Sequence, residues 1–498
     1  MAHLGSGFNQ VNFGSYNMKE TYTDKAIPLR RICMTTVAVY CLLVILLYVL
    51  GGYQLHYQPS RGNLQMPAAQ SAVAELIDGA VIEQRFTVGI QRIQSVSVLW
   101  GTYYRQNSGI VTMELLDETG QALLAQSFDA AAIQENGVLS LCAETPLEGL
   151  AGKILTLRLT ANSREGAAVA PMMNSGSAQS GGELLLEGQP VAGTLCFSAS
   201  GEDYTWLGLH YWTSAVILGL LIAAYLVFVL RKDAAGQPTI FTALLSAMYH
   251  YRFLIKQLVD RDFKTKYKRS ILGVFWSFLN PLLTMIVQYV VFSNIFRQNI
   301  DYFPVYLLCG NIVFSYFSEA CGMSLTSIVG NSALITKVYI PKYIYPLTRI
   351  ISSLINVLIS MIPMFAAAWL CGLLPTKVYL LLPFPLVCLA VFCLGLGMFL
   401  AAAMVFFRDV QFLWGIVTML WMYLTPIFYR VDALPVQVQA VVRLNPLYAF
   451  ITFIRTCVID GISPAPVLYL QCLLSAGITL LIGVIIFKKT QDSFVLYL

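Results

Sequence analysis

The sequence predicts a polytopic α-helical membrane protein of about 8 spans with an inserted extracytoplasmic antiparallel β-sandwich. Three observations carry this expectation. Apolar residues make up 57% of the 498 residues and charged residues only 11%, against about 25% charge in ordinary soluble domains. A soluble chain so poor in charge could not cover its own surface. The apolar residues gather in runs of roughly 20, the length at which a helix crosses a ~30 Å hydrocarbon core. Between the first two runs the pattern changes to alternation with period two, the mark of half-buried strands.

Residues 1–31 are polar, end in Arg30-Arg31 and are expected in the cytoplasm. Residues 32–52 form the first span. Basic residues before an apolar core also suit a signal peptide, but this core is long and Gly51-Gly52-Tyr53 is a weak cleavage site. An uncleaved span is therefore the expectation. Residues 54–208 read as the β-sandwich domain. Alternating runs at 85–90, 96–100, 110–116, 137–141, 153–160 and 183–186 are separated by turn signals such as Asp117-Glu118-Thr119-Gly120 and Glu135-Asn136-Gly137. The stretch 161–182 is small and polar and reads as a long loop. Cys142 and Cys196 could pair if the domain lies outside the cell, or stay as two free thiols.

Residues 209–230 form the second span, closed by Arg231-Lys232; basic inner flanks on both spans place the β domain on the outer face. Residues 240–270 are expected to be a cytoplasmic amphipathic segment. Tyr251, Leu254, Ile255, Leu258 and Val259 share one helical face, and Arg252, Lys256 and Asp260 another. That pattern suits a helix lying in the membrane interface, or a short soluble helix packed on a partner. Residues 271–498 hold six further spans, at 271–296, 303–329, 343–371, 379–407, 410–428 and 466–487. Between the last two, 430–460 carries apolar pieces too short to cross and reads as one or two re-entrant or interfacial helices on the outer face.

Several chemistries are excluded. The chain has no GxxxxGK[ST]; Gly149-Leu150-Ala151-Gly152-Lys153 has the wrong spacing for a nucleotide loop. Eleven scattered Cys and four His argue against zinc. A net charge of +5 without a basic tract does not suggest nucleic acid. No cofactor bound by this chain, and no covalent chemistry of its own, is expected. Glu319 is the main carboxylate inside a span. It is either functional or a helix–helix hydrogen bond.

One segment rises above a generic membrane protein. The run RDFKTKYKRSILGVFWSFLNP, from Arg261 to Pro281, joins a basic amphipathic stretch to a Trp- and Pro-bearing span. It resembles the membrane subunits of ABC-2-type polysaccharide exporters, which move O-antigen, capsule or teichoic acid. Two further pieces are similar: NSALITKVYIPKYIYP from Asn331 to Pro346, and YLTPIFY from Tyr423 to Tyr429 followed by Asn445-Pro446-Leu447-Tyr448. Together they cover the chain from about 240 onwards. The resemblance implies a six-span permease domain, a homodimer, and two copies of a cytoplasmic ABC ATPase subunit that hold the ATP and Mg. It implies a lipid-linked glycan as substrate, exported across the plasma (inner) membrane of a bacterium.

It also suggests roles for residues. The loop from Asn331 would touch the ATPase, with Leu334, Ile335 and Val338 docking in a cleft and Lys337 kept in water; an ordinary basic inner loop looks the same. Arg261, Lys264, Lys266, Lys268 and Arg269 could meet membrane-lipid headgroup phosphates, or simply anchor the inner side. Tyr289, Phe292, Trp414, Trp421, Tyr423 and Tyr429, with Glu319, could line a conduit, since sugar rings stack on aromatics; aromatics also fill cores and belt interfaces. The first 230 residues depart from the family's plain form. The β domain could bind glycan through Trp100, Tyr103 and Tyr104, or be a structural or dimer-stabilising ectodomain. The rivals are an ABC-2 exporter of small molecules or lipids, and a membrane-bound envelope glycosyltransferase or assembly enzyme.

Overall fold

The computed structural model describes residues 29–498 except 61–63, 65, 177–181, 238, 269–270, 296–299, 339, 432–433 and 498. The chain divides into two compact units, Gly52–Tyr211 and the remainder.

The smaller unit is built from two antiparallel sheets. One has seven strands, in the order β1 (Tyr57–Ser60), β13 (Phe197–Tyr204), β4 (Arg92–Gly101), β9 (Ala170–Asn174) and β12 (Thr194–Leu195), with β2 (Ser71–Ala72) on β9 and β7 (Gly137–Glu148) on β4. The other runs β11 (Gln189–Val191), β10 (Leu184–Leu186), β3 (Val81–Thr87), β8 (Ile154–Ala161), β5 (Ile110–Leu116) and β6 (Ala122–Asp129). Period-two alternation sends Ile82 and Phe86, Val96, Val98 and Trp100, Val111, Met113 and Leu115, and Leu155, Leu157 and Leu159 into one core. The rings of Phe86 and Phe197, one from each sheet, meet at 5.1 Å.

Two expectations fail here. The stretch 161–182, read as a loop, contains β9. Its sequence APMMN has no alternation because Ala170, Pro171 and Met173 are all buried. Trp100, read as a glycan-binding candidate, is 0% exposed in the centre of the core. Its position on β4 puts it on the inward face, where no ligand can stack on it. Cys142 is exposed, Cys196 is buried, and both are free.

The larger unit is helical. Among the described residues six helices are long and apolar enough to cross a membrane, and up to eight if each of two bent pairs counts as one span. The six are α1 (Leu29–His56), α3 (Tyr211–Ala234), α6 (Phe275–Tyr289, prolonged to Ser293), α9 (Ile344–Leu370), α10 (Pro383–Phe406) and α14 (Pro466–Thr490). α7 (Phe303–Leu325) bends by 52° into the segment that carries α8 (Ser332–Ile335). α12 (Val436–Arg443) and α13 (Pro446–Arg455) form a pair bent by 85°, in the stretch expected to be re-entrant or interfacial. α11 (Val410–Leu424), expected to be a full span, has 15 residues. At 1.5 Å per residue that is about 22 Å, short of the hydrocarbon thickness; Thr425-Pro426 ends it.

Local chemistry sets these boundaries. Proline occupies the first turn of α7, α10, α13 and α14, where its missing N–H costs nothing. Asn445 caps α13 by accepting from the Leu447 amide at 3.1 Å. α10 and α14 pack through glycine: a Cβ at Gly395 would land on the Thr479–Leu480 backbone, and one at Gly483 on Gly395 itself. Small residues let helix backbones approach this closely.

α4 (Ile240–His250) and α5 (Arg252–Tyr267) precede the first of the six expected later spans. The apolar face of α5, expected to lie on lipid, packs on the protein. Leu258 is buried, with Tyr251, Leu254 and Ile255 beside it, against Ile328, Ile344, Tyr345 and Met398. Arg252, Lys256 and Asp260 stay exposed. The face is apolar because the bundle's own end covers it.

Candidate functional site

The docking of α5 brings charged side chains from three separate elements together. Asp262, three residues beyond the end of the buried stripe at Val259, has a side chain only 3% exposed. Its Oδ1 accepts from Arg349 Nη1 of α9 at 2.8 Å and from Arg261 Nη2 at 3.2 Å. Arg261 also donates to Asn331 Oδ1 at 3.3 Å, and Asn331 donates to the Ser327 carbonyl at 2.7 Å. One turn on, Lys266 Nζ reaches Glu319 Oε1 of α7 at 2.8 Å, and Asn356 Nδ2 of α9 donates to the same oxygen at 2.7 Å. Tyr267 donates to Asn356 Oδ1 at 2.9 Å and contacts the Ser277 hydroxyl of α6. Glu319 is thus matched by a cation and an amide, whereas Asp262 meets two guanidinium groups through Oδ1 and its buried Oδ2 has no hydrogen-bond partner among the described residues.

A cavity of about 630 Å³ opens among these groups, lined by Arg261, Asp262, Thr265, Lys266, Glu319, Met323, Gly330 and Arg349. Three cations face two carboxylates. The surplus positive charge suits an anionic ligand. Among the described residues, no group of His, Cys, Asp and Glu is arranged to hold a metal ion.

The residues expected in functional roles divide around this cleft. Asn331 is buried and bonded to Arg261. Leu334 and Ile335, expected to dock on a partner, are half-buried beside the chain's own cluster around Leu258. Lys337 and Val338 are exposed. Of the basic set, Arg261 and Lys266 are committed to the cleft, Lys264 and Lys268 are exposed, and Arg269 lies outside the described residues.

The aromatic candidates fall into separate small groups. Phe292 stacks on Phe428 at 4.9 Å. Trp414 and Trp421 meet Phe317 edge-on at 5.9 and 5.0 Å, and Trp421 Nε1 donates to Asn445 at 2.9 Å. All three are half-buried against the bundle core, and Trp421 also lines an apolar pocket of about 360 Å³ with Val417, Val441 and Asn445. Tyr289 and Tyr423 point outward, and Tyr429 donates to the Tyr423 carbonyl at 3.1 Å. Glu319 sits at the cleft, ion-paired with Lys266.

Sequence reasoning missed Asp262, Arg349, Asn356 and Arg455 as site or frame residues. Arg349 and Arg455 each stand alone in an apolar run, which was a usable signal. Arg455 of α13 is buried and donates to the carbonyls of Pro426 at 2.8 Å, Ile427 at 3.1 Å and Tyr306 at 3.1 Å. Pro426 and Ile427 lie outside any helix, so Arg455 satisfies backbone there that no helix satisfies, while Tyr306 belongs to α7.

Comparison with known proteins matches residues 253–459 to the ABC-2 type transporter family. The O-antigen export system permease protein RfbA of Myxococcus xanthus is 32% identical over 211 residues, covering 42% of this chain and 81% of that protein. The RfbA of Klebsiella pneumoniae is 27% identical over 255 residues, covering 50% and 98%. The polysialic acid transport protein KpsM of Escherichia coli is 23% identical over 248 residues, covering 48% and 94%. The matched region holds α5, the polar cleft and the bent pair α12–α13, and on it the chain belongs to the ABC-2 type transporter family as a membrane permease.

Proposed function

We propose that this chain is the transmembrane subunit of an exporter that carries a lipid-linked envelope polysaccharide across the plasma membrane of a bacterium. Two copies would assemble with two copies of a cytoplasmic ABC ATPase, which holds ATP and Mg. The β unit would lie outside the cell and the cleft at the inner side. The observation that carries the reading is the polar cleft under α5, in a chain whose relatives are named for O-antigen export and polysialic acid transport. Its surplus cationic charge fits the phosphate that joins a glycan to a lipid carrier, with Lys264 and Lys268 beside it on the outer face of α5. Lys337 and Val338 remain free to meet the ATPase. ATP-driven movement would pass from that loop through Asn331 and Arg261 to α5 and the spans.

The test is depletion of the gene in its host. The expected result is a lipid-linked polymer accumulating on the inner side, with the surface polymer lost. A polymer that still reaches the surface would overturn the reading, and accumulation of a small lipid or drug instead would move the substrate to that class.

A further inference from the structure

The exposed turn after β4 is the feature of the β unit that its own packing does not explain. Tyr103 and Tyr104 both adopt left-handed backbone, with φ of 55° and 56°. That region is unfavourable for a bulky side chain, and glycine or asparagine would fit it better. Two consecutive tyrosines there persist only because the surroundings enforce the shape.

The enforcement is visible. One oxygen of Glu135 accepts from the Thr102 amide at 2.7 Å, the Thr102 hydroxyl at 2.6 Å and the Tyr104 amide at 3.3 Å. Asn107, buried, donates to the Thr102 carbonyl at 3.1 Å and closes the turn. Arg105 is fixed by Glu75 at 2.7 Å and by the Ala168 carbonyl at 3.1 Å, and its guanidinium lies 5.0 Å from the Tyr103 ring centroid. Yet the tyrosines contribute little to the fold: Tyr103 is 44% exposed and Tyr104 87%. A rigid, strained turn that holds two aromatic rings in solvent is organised for contact with something else.

We propose that this turn is a carbohydrate-binding platform, with Tyr104 and the open part of Tyr103 stacking on sugar rings of the exported polymer. Tyrosine gives a large, stiff, amphipathic surface at low entropy cost. Its ring meets the C–H face of a sugar and its hydroxyl meets sugar hydroxyls. A preformed turn loses little freedom on binding. The charges that brace the turn select against an anionic surface: Arg105 is neutralised by Glu75, which leaves Glu135 as the surplus charge. A platform for acidic headgroups would carry the opposite balance. The inference rests on the polysaccharide-export reading for the identity of its ligand.

The test uses the full chain in nanodiscs. The probe is a set of oligosaccharides released by mild acid from the host strain's own surface polysaccharide, with phosphatidylglycerol vesicles as a second arm. Tyr104→Gly relieves the left-handed strain and removes the ring. It is expected to raise the unfolding midpoint while weakening oligosaccharide binding about tenfold. Tyr104→Phe should keep most of the affinity. Unchanged oligosaccharide binding in Tyr104→Gly overturns the proposal, and so does a loss confined to the vesicle arm. Failure of the export reading is seen separately: gene depletion then leaves the polymer on the surface. A polymer that accumulates on depletion, while Tyr104→Gly binds like the parent chain, sinks the platform alone.

Discussion

Replacing Arg349 with methionine should loosen α5 from the bundle. Asp262 has a side chain 3% exposed and Arg349 one 19% exposed, with 2.8 Å between the charged atoms. Removing one member of such a pair leaves a buried charge without its main partner, at a cost of about 3–5 kcal/mol when burial is complete. Arg261, half-exposed at 3.2 Å, retains part of the compensation, so about 2–3 kcal/mol is expected. The loss is local, because the apolar stripe of α5 still holds its contacts with Ile328 and Ile344. Amide hydrogen exchange across 259–267 in nanodiscs reads it directly. At 1.4 kcal/mol per tenfold, exchange should speed up about 30- to 150-fold. The double change Asp262→Leu with Arg349→Met removes both charges and should recover most of the loss, since an apolar pair of similar volume often matches a buried ion pair. A double-mutant cycle then gives a coupling of about 2 kcal/mol. Unchanged exchange in Arg349→Met, or a double variant as loose as the singles together, would refute the argument that this pair holds α5.

Three further outcomes are expected. Trp100→Ala should destabilise the β unit by about 3–5 kcal/mol and Trp100→Phe by much less, as measured by thermal unfolding, because the ring fills core rather than a binding face. Gly395→Leu should prevent α10 and α14 from packing, seen as loss of a monodisperse peak in detergent, whereas the same change at Gly415, whose Cβ would meet nothing, should be tolerated. The hydrogen bond from the Thr102 hydroxyl, then the one from its amide, holds the Glu135 carboxyl below its ordinary 4.5. The bonds it accepts therefore stabilise the turn fully above 4.5 and are lost as pH falls through the lowered value. Tyrosine fluorescence or proteolysis at the turn should show this acid transition, and Glu135→Gln should abolish its pH dependence.

The sequence carried the helices well because each span is a long run with one physical requirement, and the alternating strands well because their two faces see different solvents. It carried the polar cleft poorly. Asp262 and its partner Arg349 are 87 positions apart and Lys266 and its partner Glu319 are 53 apart, and only the fold brings each pair within hydrogen-bond reach. The face of α5 was legible as apolar, but periodicity cannot say whether lipid or protein covers it. Leu334 and Ile335 read as apolar in the same way, and they lie half-buried beside the chain's own cluster. Trp100 shows the converse error. An aromatic residue on a strand reads as a ligand platform or as core depending on one step of register, and β4 turns it inward. The strand β9 gave no signal because Ala170, Pro171 and Met173 are buried on both of its faces and its residues do not alternate apolar with polar.

Arg455 has a consequence for how the molecule responds to its surroundings. A guanidinium keeps its proton at any pH that a cell meets, and its partners here are the carbonyl oxygens of Pro426, Ile427 and Tyr306, which do not titrate. Among the described residues no carboxylate pairs with it. The bonds that join α13 to the unwound backbone after α11 therefore do not titrate. A lysine there would offer one point charge that burial could strip of its proton, making the same junction responsive to acidity.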